Sequence, residues 1–127
     1  MNIIICGAGR VGFSICNQLS KQGHSVTVID KNGIDIQKIN DTQNAKGIVG
    51  IATYPSVLEK ADAKNADMII AVTRNDETNM IVCQIAHSLF KIPRKIARIR
   101  SKEFQKMKSF DEEMRLFGEE RGLSARK

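Results

Sequence analysis

The residues with the plainest chemical potential are Gly7-Ala8-Gly9-Arg10-Val11-Gly12, a G-x-G-x-x-G run, with Asp30 standing 18 residues after Gly12. In such a run Gly7 permits a tight turn, Gly9 lets main chain approach a pyrophosphate, and Gly12 lets a helix pack closely on a strand. A helix opening at this point would offer unpaired N–H groups and its positive dipole end to phosphate. Asp30 would accept the hydroxyls of an adenine ribose and oppose a 2′-phosphate. The pattern therefore points to NAD or NADH over NADP, a preference softened by the cation of Lys31. The competing reading is a glycine turn that binds nothing.

These residues need particular elements to place them, and the hydrophobic pattern supplies the elements. Residues 2–6 (NIIIC) and 25–30 (SVTVID) are short, apolar and β-branched, as in strands buried on both faces of a parallel sheet. Between them Val11, Ile15 and Leu19 recur at helical spacing, with Gly23 placed to stop the helix. The alternation continues with a helix over 32–42, a strand over 47–51, a short helix over 55–62, a strand over 67–72, a helix over 76–90 and a strand over 95–99. This predicts a doubly wound, Rossmann-like α/β fold with a parallel sheet of five to six strands. One domain is expected over 1–117, with 118–127 a disordered end. Ligands of such sheets lie beyond the carboxyl ends of the strands. Thr73 and Arg74 follow the fourth strand there, placed to meet a pyrophosphate or a second ribose. Arg98 and Arg100 flank Ile99 at the end of the fifth, either as phosphate contacts or as solvated strand-end charges.

Charge is unevenly distributed. Residues 1–90 carry eight basic and eight acidic side chains, whereas 91–127 carry twelve basic and six acidic, so the formal net charge of +6 belongs wholly to the last 37 residues. A neutral body with a basic tail is unlike a nucleic-acid binder with one charged face. No apolar run reaches the roughly 18 residues of a membrane span, and the N-terminus lacks the layout of a signal peptide, which together predict a cytoplasmic protein. Three scattered cysteines, Cys6, Cys16 and Cys83, read as small core hydrophobes and not as a disulfide framework or metal site.

The segments GAGRVG, VID, GIAT, ADMIIAVTRNDETNM and IARIRS together resemble the KTN or RCK family of nucleotide-binding domains, which open the bacterial Trk potassium-uptake regulator TrkA. The resemblance runs from residue 2 to about 110. It implies a regulator that forms a dimer or larger ring and responds to NAD, NADH or an adenine nucleotide such as ATP or ADP. It also implies docking on a potassium-translocating membrane subunit of Trk type, so that the protein is peripheral to the inner face of the membrane through that partner only. Carried over, the family's nucleotide contacts fall on Gly7 to Val11, Asp30, Thr73, Arg74 and Arg98, and Ala52 of the GIAT segment is a further cofactor-binding candidate. Ile51 departs from the pattern, standing where many relatives place an acidic or polar residue. Family regulators continue into a C-terminal ligand-binding domain, whereas this sequence stops at Lys127, as an isolated domain, a fragment or a shortened product would.

An enzymatic reading finds no catalytic group. His24 falls in the turn before the second strand, opposite the expected ligand edge, and His87 lies inside an apolar helix. The adjacent acids Asp76-Glu77 read as helix-dipole residues, and the main alternative function is an NAD-dependent oxidoreductase fragment. Two helices look ready for partners. In 76–90 apolar residues wrap most of the circumference, so one side covers the sheet and the other either meets a second subunit or is buried within the domain. In the tail, a helix capped by Ser101 would align Phe104, Met107, Phe110, Met114 and Phe117, a stripe suited to protein and not to nucleic acid.

Overall fold

The computed structural model describes residues 1–106. Five strands, β1 (Asn2–Cys6), β2 (Ser25–Asp30), β3 (Lys46–Val49), β4 (Met68–Ala71) and β5 (Arg94–Ala97), alternate with helices α1 (Arg10–Lys21), α2 (Gly33–Thr42), α3 (Pro55–Lys60), α4 (Asp76–Ser88) and α5 (Lys102–Lys106). All the strand pairings are parallel and the order is β3-β2-β1-β4-β5. The chain winds outward from β1 to β3, then crosses to β4 on the other side of β1. The reversal falls between β1 and β4, where a doubly wound sheet opens a crevice at its carboxyl edge.

Strand periodicity sorts the core into two layers. Ile3 and Ile5 of β1 join Val26, Val28, Met68 and Ile70 beneath α1 and α2, which contribute Cys16, Ile36 and Ile39. Ile4 and Cys6 face the opposite way, with Ile69 and Ala71, toward Leu58 of α3 and Val82, Cys83 and Ala86 of α4. Because both faces are covered, β4 and residues 3–6 of β1 read as unbroken apolar runs. All three cysteines are buried, as expected of core residues.

Several boundaries differ from the sequence pattern. The third strand ends at Val49 instead of running to 51, and the fifth ends at Ala97 instead of 99. The helix expected over 55–62 stops at Lys60, since Asp62 takes a left-handed conformation (φ 62) that starts a 3₁₀ turn at Ala63–Asn65. Gly23, at φ 92, follows α1 where a helix stop was expected. On α4 and at its C-cap the apolar residues divide: Val82, Cys83 and Ala86 are buried, while Ile81 (49% exposed) and the C-cap Leu89 (60%) face outward. Phe104 of α5 packs against the α3–α4 layer. Met107, Phe110, Met114 and Phe117 of the tail stripe, the boundary at 117 and the segment 118–127 lie outside the described residues.

Candidate functional site

The glycine turn joins β1 to α1 at the carboxyl edge of the sheet. Gly7 sits at φ 118, a left-handed conformation that suits glycine, and a Cβ there would come within 2.9 Å of the Val72 carbonyl oxygen. Its N–H donates to the carbonyl of Ile29 at 2.8 Å, tying the turn to β2. A Cβ on Gly12 would overlap the Gly7 carbonyl oxygen, so α1 can lie this close to β1 only with glycine in that place. Gly9 is different: a Cβ on it would meet nothing within 4 Å. It lines the open cleft, where the missing side chain leaves room for a ligand instead of for the protein.

Gly9 is also the N-cap of α1. No side chain caps this helix, and its first turn holds no acidic residue. The neighbouring helices are closed off. Asn32 Oδ1 accepts from the N–H of Ile34 and Asp35 at the start of α2 (2.9 and 3.0 Å), and Asn75 Oδ1 accepts from Thr78 N–H at 2.7 Å on α4. The unpaired N–H groups and positive end of α1 are thus left to whatever enters the cleft. Asp30 stands opposite. Its Oδ2 accepts from Ala8 N–H at 2.7 Å and its Oδ1 from Asn32 N–H at 2.8 Å, so the carboxylate braces the turn against the start of α2. An ionised carboxylate has about four acceptor positions, which leaves capacity for ribose hydroxyls.

Across the cleft, β4 and β5 separate after the last ladder bond, from Arg98 N–H to Ala71 carbonyl at 2.9 Å. Side chains take over where the ladder stops. Arg98 Nη2 donates to the carbonyls of Val72 (3.2 Å) and Thr73 (2.9 Å). Fully buried Asn79 accepts from Thr73 N–H and donates to the Arg98 carbonyl at 2.8 Å. Asp76, in the first turn of α4, accepts from Arg100 N–H at 2.9 Å and Ser101 N–H at 2.7 Å, which fixes the chain as it leaves β5. Burial, together with the nearby Arg100 and Arg74, holds the Arg98 guanidinium below its ordinary pKa, and Asp76 pulls the other way.

The cleft between these walls measures about 690 Å³. Ten of the twelve residues expected at the site line it: Gly7, Gly9, Arg10, Val11, Asp30, Lys31, Ala52, Thr73, Arg74 and Arg98. Ala8 and Gly12 do not, because Ala8 is buried behind the Asp30 carboxylate and Gly12 is packed against Gly7. Arg100 also lines it, although β5 ends before Arg98, so the two arginines meet the cleft from a loop and not by strand alternation. Five basic side chains (Arg10, Lys31, Arg74, Arg98, Arg100) face the cleft against two acidic ones (Asp30, Asp35), a balance that favours an anion. Ile51 and Val11, 42% and 38% exposed, give it an apolar patch.

Sequence reasoning missed Asn32, Asp35, Thr53 and Thr78 on the lining, and Asn79 behind it, whereas Asn75, a candidate from its place after the fourth strand, does line it. The signal for Asn79 was a lone amide on the inward face of an otherwise apolar helix. No histidine or cysteine of the described residues lines the cleft. His24 Nδ1 lies 3.0 Å from the Met1 amine, and His87 is exposed on α4. Burial pushes the Cys16 thiol up to about 11 and the Cys83 thiol to about 12, which leaves both protonated and unreactive near neutral pH.

Comparison with known proteins is consistent across sequence and structure. The model of the TrkA-N domain family matches residues 3–111. The Trk system potassium uptake protein TrkA of Azorhizobium caulinodans is 44% identical over 104 residues, 82% of this chain and 23% of that protein. The chain thus spans about a quarter of the length of such bacterial relatives. Among solved structures, the GsuK channel bound to NAD is similar at a TM-score of 0.73 and 23% identity, covering 92% of this chain and 20% of that one. The AMP-bound Kef C-terminal domain of Shewanella denitrificans has a TM-score of 0.71 at 24% identity, covering 81% of this chain and 62% of that one. At these identities the two structures speak for the fold.

Proposed function

The chain belongs to the TrkA-N domain family, and on that premise we propose that it is an NAD(H)-binding regulatory domain of a potassium uptake system, acting by conformational change and not by catalysis. The observation that carries the reading is the uncapped start of α1 over Gly9, whose absent side chain leaves open space on a cationic cleft. These residues fit a dinucleotide. The α1 N–H groups and Arg10 would hold its phosphates, Asp30 the adenine ribose, Ile51 and Ala52 the base, and Thr73, Arg74 and Arg98 the second half. A bound dinucleotide would supply two linked phosphates that relieve the mutual repulsion of Arg74, Arg98 and Arg100. ATP or ADP would satisfy the same phosphate contacts, and both remain candidate ligands beside NAD and NADH. Among the described residues no histidine or thiol lines the cleft to move a proton, which weighs against the oxidoreductase alternative.

Regulation then follows from population shift. The ligand draws the glycine turn and the β4–β5 loops toward one arrangement, and the work available is limited to its differential affinity for the two. The recipient of that work is proposed to be a Trk-type potassium-translocating membrane subunit, since relatives carry the Trk name. Docking would place the domain in the cytoplasm at the inner face of the membrane; no helix among the described residues is long and apolar enough to cross it. Self-association into a dimer or larger ring is supported by α4, where exposed Ile81 and Leu89 flank Ile85 at four-residue spacing. Sedimentation at high micromolar concentration should show an assembly, and a monomer there would contradict it. For the ligand, calorimetric titration with NADH, NAD, ATP and ADP should give saturable binding of NADH. Absence of heat or saturation with all four would overturn the proposal.

A further inference from the structure

Asn79 is not itself a lining residue of the cleft, yet it is the one fully buried polar side chain of the described residues and it bonds two residues that do line it. Its amide is completely used. Oδ1 accepts from Thr73 N–H at 2.9 Å and from Thr73 Oγ1 at 2.7 Å. Nδ2 donates to the Thr73 carbonyl at 3.2 Å and to the Arg98 carbonyl at 2.8 Å. Two donors and two acceptor positions exhaust the hydrogen-bonding capacity of an asparagine. The Thr73 carbonyl also accepts from the Arg98 guanidinium at 2.9 Å, so Thr73, Asn79 and Arg98 close a ring of bonds. The ring sits where β4 and β5 have parted and no ladder bond remains to set their spacing. Burial makes these bonds hard to replace by water, and their geometry fixes both main-chain segments at once.

We propose that Asn79 is a positioning residue for nucleotide binding, setting the distance between Thr73 and Arg98 and thereby the fit of the half of the ligand that lies over β4 and β5. The inference rests on the nucleotide reading above and adds a division of labour to it. The other half of the site, the glycine turn with Asp30, is held by β1 and β2 and makes no bond to Asn79. Disturbing Asn79 therefore separates the two halves. AMP, which carries one phosphate and the adenine ribose, needs only the glycine turn and Asp30. NADH needs both walls.

The test compares NADH and AMP affinities of the 127-residue chain and of Asn79→Asp, each first shown by circular dichroism to be folded at the titration temperature. The aspartate keeps size and acceptors but loses the two N–H donors, and it sets a carboxylate against the carbonyls of Thr73 and Arg98. We expect NADH to bind at least tenfold more weakly while AMP affinity stays within twofold. If the variant does not fold, Asn79→Ser, which also lacks the Nδ2 donors, carries the same expectation. Unchanged NADH affinity, or equal losses for NADH and AMP, overturns the positioning role, because a general loosening of the fold would move both ligands together. A wild-type chain that binds no NADH overturns this inference, and one that binds none of NADH, NAD, ATP and ADP overturns the nucleotide reading as well. A wild-type chain that binds both, matched by the variant on NADH, overturns only the role of Asn79.

Discussion

Along the glycine wall of the cleft, the main chain itself makes the site, through the positive φ of Gly7, the close approach of Gly12 and the uncapped N–H groups of α1. Along the opposite wall, main-chain pairing has ended and the Thr73, Asn79 and Arg98 side chains set the shape. The difference decides what a substitution can do. In the first wall a side chain added at the wrong glycine meets backbone, which cannot rotate away. In the second, removing a side chain leaves polar groups without partners but leaves the sheet intact.

The largest effect should come from Gly12→Ala, whose Cβ would be driven into the Gly7 carbonyl oxygen. Overpacking of this kind costs typically ~1–3 kcal/mol and more against backbone, so a loss of at least about 3 kcal/mol in chemical denaturation is expected. Wild-type stability would mean that α1 does not need the close approach. Gly9→Asp sharpens the contrast within the same turn. Aspartate is a favoured N-cap, so stability should change by only a few tenths of a kcal/mol. Its carboxylate would occupy the open space on the cleft, and NADH affinity should fall about a hundredfold or more, roughly 2.7 kcal/mol. Retained affinity by calorimetry would remove the phosphate from α1.

Asn75→Ala probes the capped helix of the other wall, where Asn75 Oδ1 accepts from Thr78 N–H. A loss of about 1 kcal/mol in a thermal melt is expected, with no such residue to lose at the start of α1. The smallest effect concerns the buried thiols beneath the two walls. Cys83 is pushed from 9.0 to about 12 and Cys6 still higher, so the folded state holds their protons more tightly than the unfolded chain. Their stabilisation is complete well below pH 9, starts to fall about a unit below it and is lost as the pH rises through 9 toward the folded values. Between pH 8 and 9 this amounts to about 0.3 kcal/mol per thiol, measurable as a shift in the denaturation midpoint that a Cys83→Ala variant should reduce.

The glycine wall was legible in the sequence because its function is local. Six consecutive residues and an acid at the end of the next strand encode the turn, the helix start and the ribose acceptor. The fold was legible for a related reason, since strands buried on both faces need apolar runs. The second wall was only partly legible. Thr73, Arg74 and Arg98 could be placed at strand ends, but Asn79 joins residues 73 and 98 through space, a relation that no spacing within the helix announces. Asp76 looked like an ordinary first-turn acid, and its role in holding Arg100 and Ser101 depends on where β5 ends. Strand ends themselves were misplaced by up to two residues, because Ile51 and Ile99 continue the apolar pattern after the ladder has stopped.

The central claim is that one ligand spans both walls. Amide chemical shifts followed by NMR during an NADH titration test it most directly. Arg10 and Val11 on one wall, and Thr73 and Arg98 on the other, should shift together with a single apparent affinity. Shifts confined to the glycine turn, or two sets saturating at different concentrations, would contradict the account.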